Sequence, residues 1–336
     1  MSSGPTPPPY ALVTGANGFI GRHLCQTLVD QGYIVKGLLL PGEEAHPDLP
    51  FAVIKHYGNL EDPNSLRGII EESGIIFHLA ARVLDYGRGK WFRNSILTGT
   101  ENLWKATRDH AWRFVFASSV AAMGVNRHLF GKNETDPIQL TGIPYGDCKA
   151  KAEERLRELS RRDGIPISIF RPTNVIGPGS VWITEPVKRM KSLTGLPLID
   201  GGEYDAALLS VHNLVDGIML CGMHPEAIGE TFFFRDEWDI SWRQFMMDVG
   251  ELVDLFPKGR IGYQAAWTLG VVSEAICRPF GRRPPVTRLG VGLTGRDLRV
   301  SNEKARTLLG WAPRQTYEEC MEEIRTWWTG KGMHGP

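Results

Sequence analysis

The sequence predicts an α/β protein built on a doubly wound parallel sheet with a smaller C-terminal lobe. Short apolar strands alternate with helical stretches from Tyr10 to Arg171, which is the pattern of repeated βαβ units. The strands are continuous apolar runs, as expected of strands buried on both faces of a parallel sheet. A glycine-rich turn, from Thr14 to Gly21, joins the first strand to the first helix. These observations predict a ligand beyond the carboxyl ends of the strands.

The individual elements follow from hydrophobic periodicity and from helix stop signals. The predicted strands are Tyr10–Thr14, Tyr33–Leu40, Phe51–Lys55, Gly74–Leu79, Trp112–Ala117 and Ile165–Arg171. The predicted helices are Phe19–Gln31, Pro63–Glu72, Phe92–Asp109 and Tyr145–Asp163. We expect a disordered leader over residues 1–9, the sheet domain over 10–175, and a lobe over 176–336 that interleaves with the sheet.

Composition argues against several classes of function. Lysine plus arginine (38) equals aspartate plus glutamate (38), so no overall field favours nucleic acid or an anionic membrane. The five cysteines are scattered and form no C-x-x-C pair, which argues against disulfides and a metal site and favours a reducing compartment. No signal peptide or apolar run of the roughly 20 residues that span a bilayer is visible. We therefore expect a cytoplasmic protein without metal or nucleic acid.

The turn from Thr14 to Gly21 reads TGANGFIG and has the context of a phosphate-binding loop, between a strand and a helix. Gly15 permits the tight turn, Gly18 lets the backbone approach a pyrophosphate, and Gly21 allows the helix to pack closely on the strand. The sequence therefore predicts a Rossmann-type, dinucleotide-binding sheet domain.

The choice between NAD and NADP depends on the end of the second strand, where an acid would bind a ribose 2′-hydroxyl and an arginine a 2′-phosphate. Leu38–Leu40 supply neither group, and Glu43 and Glu44 lie beyond the expected place. Arg22 and Lys36 are nearby cations, with a solvated surface position as the alternative interpretation. The choice stays open at this point, with NAD favoured.

A phenol and an ammonium lie one helical turn apart in Tyr145-Gly146-Asp147-Cys148-Lys149. A tyrosine needs a nearby positive charge to exchange protons near neutral pH, and Lys149 would supply one. Upstream, a strand ends in Ser118-Ser119. Ser119 would hydrogen-bond the oxygen that Tyr145 protonates, whereas Ser118 is interpreted as a cap on backbone amides. Ser119, Tyr145 and Lys149 are the predicted catalytic residues.

Over nearly its whole length the chain resembles the extended short-chain dehydrogenases and reductases. The matching segments, in order, are TGANGFIG from Thr14, Gly58-Asn59-Leu60, His78-Leu79-Ala80-Ala81, Asn94 with Gly99-Thr100-Glu101-Asn102, Ser118-Ser119 with Gly124, the Tyr145/Lys149 pair, and Arg171-Pro172-Thr173-Asn174-Val175-Ile176-Gly177-Pro178. The chain departs from the family at Asn59, Met123 and Cys148, which replace a frequent aspartate, tyrosine and serine. None of these departures removes a proton-transfer group.

The resemblance implies a bound NAD or NADP. Asn59 would lie near the adenine, Ala80 and Ala81 near the nicotinamide, and Lys149 would also hold the nicotinamide ribose. The residues implied in cofactor binding are Gly15, Asn17, Gly18, Phe19, Ile20, Gly21, Asn59, Leu60, Leu79, Ala80, Ala81, Tyr145, Lys149, Pro172, Asn174 and Val175.

Two branches of that family compete, the nucleotide-sugar epimerases and the 3β-hydroxysteroid dehydrogenase-like reductases. The arginine that commonly clamps a diphosphate is absent from Gly201–Asn213. Val211-His212-Asn213-Leu214 resembles the steroid branch, and so does the tail from Ser301 to Pro313, part of which the sugar enzymes share. Tyr263–Ile276 is apolar and predicts a wall for a hydrophobic substrate, although the arginines that follow it could form a phosphate clamp.

The expected function is therefore the interconversion of a secondary alcohol and a ketone on an apolar, sterol-like or terpenoid-like molecule. A nucleotide-sugar epimerase or dehydratase is the alternative, and a non-catalytic cofactor-binding regulator is a third. A homodimer and a peripheral membrane contact through residues 263–288 also stay open, although burial of that helix against the lobe is the favoured interpretation.

Overall fold

A computed structural model of the protein describes residues 8–330, so the expected leader, except for Pro8 and Pro9, lies outside the described residues. The strands are β1 Tyr10–Thr14, β2 Ile34–Leu39, β3 Ile54–Tyr57, β4 Gly74–His78, β5 Ala111–Ala117, β6 Ile167–Pro172, β7 Asn174–Ile176, β8 Leu198–Ile199, β9 Leu208–Ser210, β10 Thr231–Phe234 and β11 Arg260–Ile261. The α-helices are α1 Phe19–Asp30, α2 Gly89–Phe92, α3 Gly99–Thr107, α4 Pro144–Asp163, α5 Val181–Met190, α6 Val211–Met223, α7 Trp242–Glu251, α8 Tyr263–Cys277, α9 Arg288–Thr294, α10 Glu303–Leu309 and α11 Tyr317–Gly330.

Seven strands form one parallel sheet in the order β10-β6-β5-β4-β1-β2-β3. Apolar clusters cover both of its faces, one including α1 and α6 and the other including α3 and α4. The predicted Rossmann-type α/β fold is confirmed. Strand order reverses between β1 and β4, so the crevice beyond their carboxyl ends is the expected ligand position.

Two of the predicted elements, one strand and one helix between β2 and β4, are wrong. The strand expected at Phe51–Lys55 lies three residues later, at β3, because Val53 N bonds Pro50 O in a turn. β3 is the exposed edge strand, so it lacks the apolar run that buried strands show. The helix expected at Pro63–Glu72 is only a 3₁₀ turn over Pro63–Leu66, and Gly68 then adopts a positive φ of 66°.

The predicted helix Phe92–Asp109 is part of a longer helical segment that is not α-helical throughout. It starts at α2, passes through a π-helical stretch over Arg93–Thr98 and continues into α3. The remaining predicted strands and helices differ from the observed ones by at most two residues at either end, which is the usual uncertainty of element boundaries.

The later part of the chain builds two small parallel pairs, β7 with β9 and β8 with β11. It also returns to the main sheet, because β10 pairs with β6 at the sheet's edge. A separate apolar cluster holds α5, α7 and α11 together. Within residues 8–330, no helix combines the length and the hydropathy needed to cross a bilayer.

Candidate active site

The carboxyl edge of the sheet brings the predicted motifs together, since β1, β4, β5 and β6 all end there. Gly15 follows β1 with φ +71°, a conformation that side chains resist, and a Cβ there would lie 3.0 Å from Ala80 N. A Cβ on Gly21 would lie 2.0 Å from Gly15 O. The turn after β1 therefore packs directly against the segment after β4, and only glycine fits at these two positions.

Helix α1 begins without a capping side chain. Its N-cap is Gly18, whereas Ser180, Ser210 and Ser241 each accept a hydrogen bond at the start of α5, α6 and α7. The amides of the first turn of α1, including those of Phe19 and Ile20, are thus available to an anion, and the helix dipole favours negative charge there. The turn and the helix end fit the pyrophosphate of a dinucleotide.

A second loop closes over the glycine turn. Asn17 Nδ2 donates to Glu43 Oε1 at 2.8 Å, and Asn17 Oδ1 accepts from His46 N at 2.7 Å. Glu43 Oε2 also accepts from Leu40 N at 2.9 Å, just past the end of β2. From its position in the sequence, Glu43 lies too far beyond β2 to bind the cofactor ribose. The loop folds back, however, and brings the Glu43 carboxylate close to the end of β2, where an acidic residue that binds the ribose 2′-hydroxyl is expected.

Neither candidate cation is a free 2′-phosphate ligand. Arg22 Nη1 donates to Asn17 O at 3.0 Å, and its Nε lies 3.9 Å from Asp48. Lys36 Nζ lies 3.3 Å from Gly68 O on the surface. The group beside the end of β2 is therefore the Glu43 carboxylate, and neither Arg22 nor Lys36 offers a free positive charge there.

A buried hydrogen-bond chain supports the segment after β4. Thr100 Oγ1 donates to Ile96 O at 2.5 Å, so it must accept from His78 Nε2, 2.9 Å away. His78 Nδ1 then accepts from Thr14 Oγ1 at 2.7 Å, and Thr14 Oγ1 accepts from Ala80 N at 3.1 Å. Burial, aided by the nearby Lys149 charge, lowers the pKa of His78 to about 3. The neutral imidazole is structural, as expected of a histidine ending a buried strand.

The other residues implied in cofactor binding divide into two groups. Leu60, Leu79, Ala81 and Pro172 follow or end strands at the carboxyl edge, and Asn59 follows β3 with its Oδ1 accepting from Glu61 N at 2.9 Å. Asn174 and Val175 belong to β7 and are buried. Asn174 Nδ2 donates to Ala206 O at 2.7 Å, so this amide is occupied in joining β7 to the segment just before β9.

The structure brings Ser119 and Tyr145 together. Burial raises the pKa of the Tyr145 phenol, and a hydrogen bond with Ser119 opposes this rise. Ser119 Oγ also accepts from Ala121 N at 3.1 Å, starting a 3₁₀ turn over Val120–Met123. Gly146 lets α4 approach this turn, because a Cβ there would lie 2.4 Å from Ala121 O. The glycine next to Tyr145 thus sets the distance between phenol and hydroxyl.

Lys149 lies one turn along α4 and is almost fully buried, 2% exposed. Its Nζ donates to Ala117 O at 2.5 Å and lies 4.7 Å from the centre of the Phe116 ring. Burial lowers the pKa of Lys149 to about 7, although Glu153 raises it. The effect of Lys149 on the pKa of Tyr145 stays a prediction.

The interpretation of Ser118 as a backbone cap is wrong. Ser118 Oγ donates to Glu153 Oε1 at 2.6 Å, while Ser119 is the residue that caps. Glu153 is fully buried, and Arg171 binds its two oxygens at 2.8 and 2.6 Å. The network ties α4 to the end of β5 and to β6, next to the predicted catalytic residues. Nothing in the local sequence pattern pairs residues so far apart.

Tyr145 lines a cleft, here called the Tyr145 cleft, between the segment before α2, the start of α4 and the segment from α8 to α9. The lining residues are Leu84, Asp85, Tyr86, Gly87, Arg88, Trp91, Phe92, Ile143, Pro144, Tyr145, Glu274, Arg278, Gly281, Arg282, Pro284 and Leu289. Leu84 and Tyr86 from the segment before α2, and Trp91 and Phe92 from α2 itself, supply much of its apolar and aromatic lining.

Helix α8 does not supply the predicted apolar wall, and its favoured interpretation as a buried helix is wrong. Only Tyr263, Ala266 and Gly270 are buried, because one narrow stripe packs against α9. Leu269, Val271, Val272, Ile276 and Phe280 are exposed. Peripheral membrane contact through this region stays a prediction.

The parallel sheet carries a glycine turn suited to an anion after β1, and Ser119, Tyr145 and Lys149 lie beside the end of β5. This combination is typical of a dinucleotide-dependent oxidoreductase. The chain belongs to the NAD dependent epimerase/dehydratase family, whose sequence profile matches residues 11–232. It is an NAD(P)-dependent enzyme of the extended short-chain type, which confirms the family resemblance and the expected NAD or NADP.

Relatives of different activity cover almost the whole chain. The chain is 27% identical to the 4-hydroxy-2-methyl-3-oxo-4-farnesyl-3,4-dihydroquinoline-1-oxide ketoreductase of Stigmatella aurantiaca, over 93% of this chain and 95% of that protein. It is 29% identical to UDP-glucose 4-epimerase of Vibrio cholerae, over 94% of each. It is 30% identical to 3 beta-hydroxysteroid dehydrogenase/Delta 5-->4-isomerase of Mycobacterium tuberculosis, over 93% of this chain and 88% of that protein.

The fold also matches solved structures. The crystal structure of UDP-glucose 4-epimerase from Thermotoga maritima superposes with a TM-score of 0.75 at 21% identity, over 96% of this chain and 99% of that one. At this level of identity the likeness concerns the fold, because one fold serves several reactions.

Proposed function

We propose that the protein interconverts a secondary alcohol and a ketone on an apolar molecule of sterol or terpenoid size. The observation that carries this proposal is the position of Tyr145, whose side chain lines a cleft with an aromatic and aliphatic wall of Leu84, Trp91, Phe92 and Leu289. Burying ring systems or isoprenoid chains there would contribute roughly 25 cal/mol per Å² of apolar surface.

The reaction requires a proton donor and an oxygen ligand, and the chain supplies both. A bound nicotinamide cofactor supplies or accepts the hydride. In the reducing direction Tyr145 Oη gives its proton to the carbonyl oxygen, and Ser119 Oγ holds that oxygen by a hydrogen bond. The proton is then replaced from solvent, so that ketone, NAD(P)H and one proton yield alcohol and NAD(P)⁺. Lys149 would hold the nicotinamide ribose.

Two findings favour this branch over nucleotide sugars. Ala206, Ala207, Leu208 and Leu209, in the stretch where sugar-nucleotide enzymes commonly carry an arginine, are buried in the apolar core and offer no cation to a diphosphate. The ketoreductase and hydroxysteroid dehydrogenase named above act on molecules of the proposed class. The epimerase relative supports the alternative, a nucleotide-sugar epimerase or dehydratase using the same three residues.

A direct comparison tests the proposal. Purified protein with NADH or NADPH should reduce a steroid 3-ketone and a terpenoid ketone, and should not convert UDP-glucose or dTDP-glucose. Tyr145→Phe should lower the turnover by about 10²-fold or more, because the proton donor is lost. Its cofactor affinity, measured by calorimetry, should change little, which separates catalysis from folding. Conversion of a nucleotide sugar without any ketone reduction would refute the proposal.

A further inference from the structure

The Tyr145 cleft has a basic rim in addition to its apolar wall. Three arginines line it: Arg88 comes from the segment before α2, and Arg278 and Arg282 come from the segment after α8. All three are exposed residues. Because two separate segments contribute them, the rim is a product of the tertiary structure and not of one basic run.

Other charges in and around the cleft are already paired. Glu274 accepts from Arg288 N at 2.7 Å and from Arg288 Nε at 2.9 Å. Asp85 lies 3.7 Å from Arg283 Nη2 and accepts from Thr287 Oγ1 at 3.1 Å. Arg283 in turn binds Glu185 at 2.6 Å. Both cleft carboxylates thus have arginine partners outside the lining, and Arg283 is shared between Asp85 and Glu185.

The rim arginines differ from these neighbours. Across residues 8–330, Arg88, Arg278 and Arg282 form no ion pair with a carboxylate. The lining therefore carries three arginines against two carboxylates, and those two carboxylates already have arginine partners outside the lining. A neutral steroid or terpenoid ketone would leave this charge unused.

We infer that the substrate of this cleft is an amphipathic anion, an apolar ketone or alcohol carrying a carboxylate that Arg278 and Arg282 bind. This inference rests on the proposed function and narrows its substrate class. A planar guanidinium matches a carboxylate with two parallel hydrogen bonds. The aromatic side chains of Tyr86, Trp91 and Phe92 would pack against the apolar body, and of these only the Tyr86 hydroxyl and the Trp91 indole N–H can donate a hydrogen bond. A single carboxylate therefore suits the cleft better than a nucleoside diphosphate.

Calorimetric binding of decanoate, with methyl decanoate as the neutral analogue, tests the inference without turnover. Wild type should bind decanoate more tightly than methyl decanoate, and this preference should weaken with added salt. The double variant Arg278→Gln/Arg282→Gln should lose about tenfold in decanoate affinity and little in ester affinity. Arg161→Gln, which removes an exposed arginine of α4 outside the cleft lining, is the matched control and should leave both unchanged.

The outcomes separate this inference from the proposed function. Equal affinities for acid and ester, or a double variant that prefers the acid as strongly as wild type, would overturn the anion site even if neutral ketones are reduced. Arginine-dependent binding of decanoate would support the site even if no tested ketone is reduced. Arginine-dependent binding of UDP with none of decanoate would overturn it in favour of a diphosphate.

Discussion

Replacement of Lys149 by methionine should change how stability depends on pH. The Lys149 ammonium is 2% exposed, and burial lowers its pKa to about 7 in the folded protein. In the unfolded chain a lysine titrates near pH 10.4. The folded state therefore favours the neutral amine, and the unfolded chain binds more protons between these two values.

The sign and size of the effect follow from this difference. Stability rises with pH wherever the unfolded state binds more protons, so the contribution of Lys149 grows from about pH 7 upward and is complete above about pH 10.4. Each unit of pKa difference is worth about 1.4 kcal/mol, which gives a total of about 4 to 5 kcal/mol. About 3 kcal/mol of this falls between about pH 7 and pH 9.5.

Urea unfolding of cofactor-free wild type and Lys149→Met across this pH range provides the measurement. The free energy of unfolding of wild type should gain about 3 kcal/mol relative to the variant as the pH rises. Lys151→Met, at an exposed position on the same helix, should follow wild type. Parallel curves for wild type and Lys149→Met would show that the folded protein does not hold this lysine in a neutral form, and would refute the reasoning.

Three further predictions concern the cofactor turn and the catalytic pair. Gly18→Val should abolish NAD(H) and NADP(H) binding in a calorimetric titration, since its side chain would occupy the space of the pyrophosphate; undiminished affinity would give the turn another role. Glu43→Gln should raise the ratio of kcat/KM for NADPH to that for NADH roughly tenfold, because a carboxylate beside β2 repels a 2′-phosphate; an unchanged ratio would remove Glu43 from cofactor selection. Gly146→Ala should lower the free energy of unfolding by about 1–3 kcal/mol and reduce turnover, as a Cβ 2.4 Å from Ala121 O forces α4 away from Ser119. Gly89→Ala, with no atom within 4 Å of the added Cβ, is its stability control, and equal effects of the two changes would contradict the packing argument.

Several parts of the site were predictable because they depend on local chemistry. The glycine turn needs a positive φ at Gly15 and an uncapped start of α1, and both follow from the residues themselves. Tyr145 and Lys149 share a helix face because of their four-residue spacing. The error at Phe51–Lys55 arose where exposure, which a single sequence does not reveal, decided the outcome. The error at Pro63–Glu72 arose because Gly68 adopts a positive φ and ends the turn.

The sequence by itself determined the parallel α/β fold, the glycine turn after β1 and the shared helix of Tyr145 and Lys149, since periodicity and short-range spacing dictate them. Only the tertiary structure decided which distant residues meet. It returned Glu43 to Asn17, joined Ser118 to Glu153 and Arg171, and left the apolar side chains of α8 exposed. It also assembled the arginine rim of the Tyr145 cleft from segments far apart in the chain. Such contacts depend on how loops close and helices dock, which is a property of the packed chain and leaves no periodic signal in the sequence.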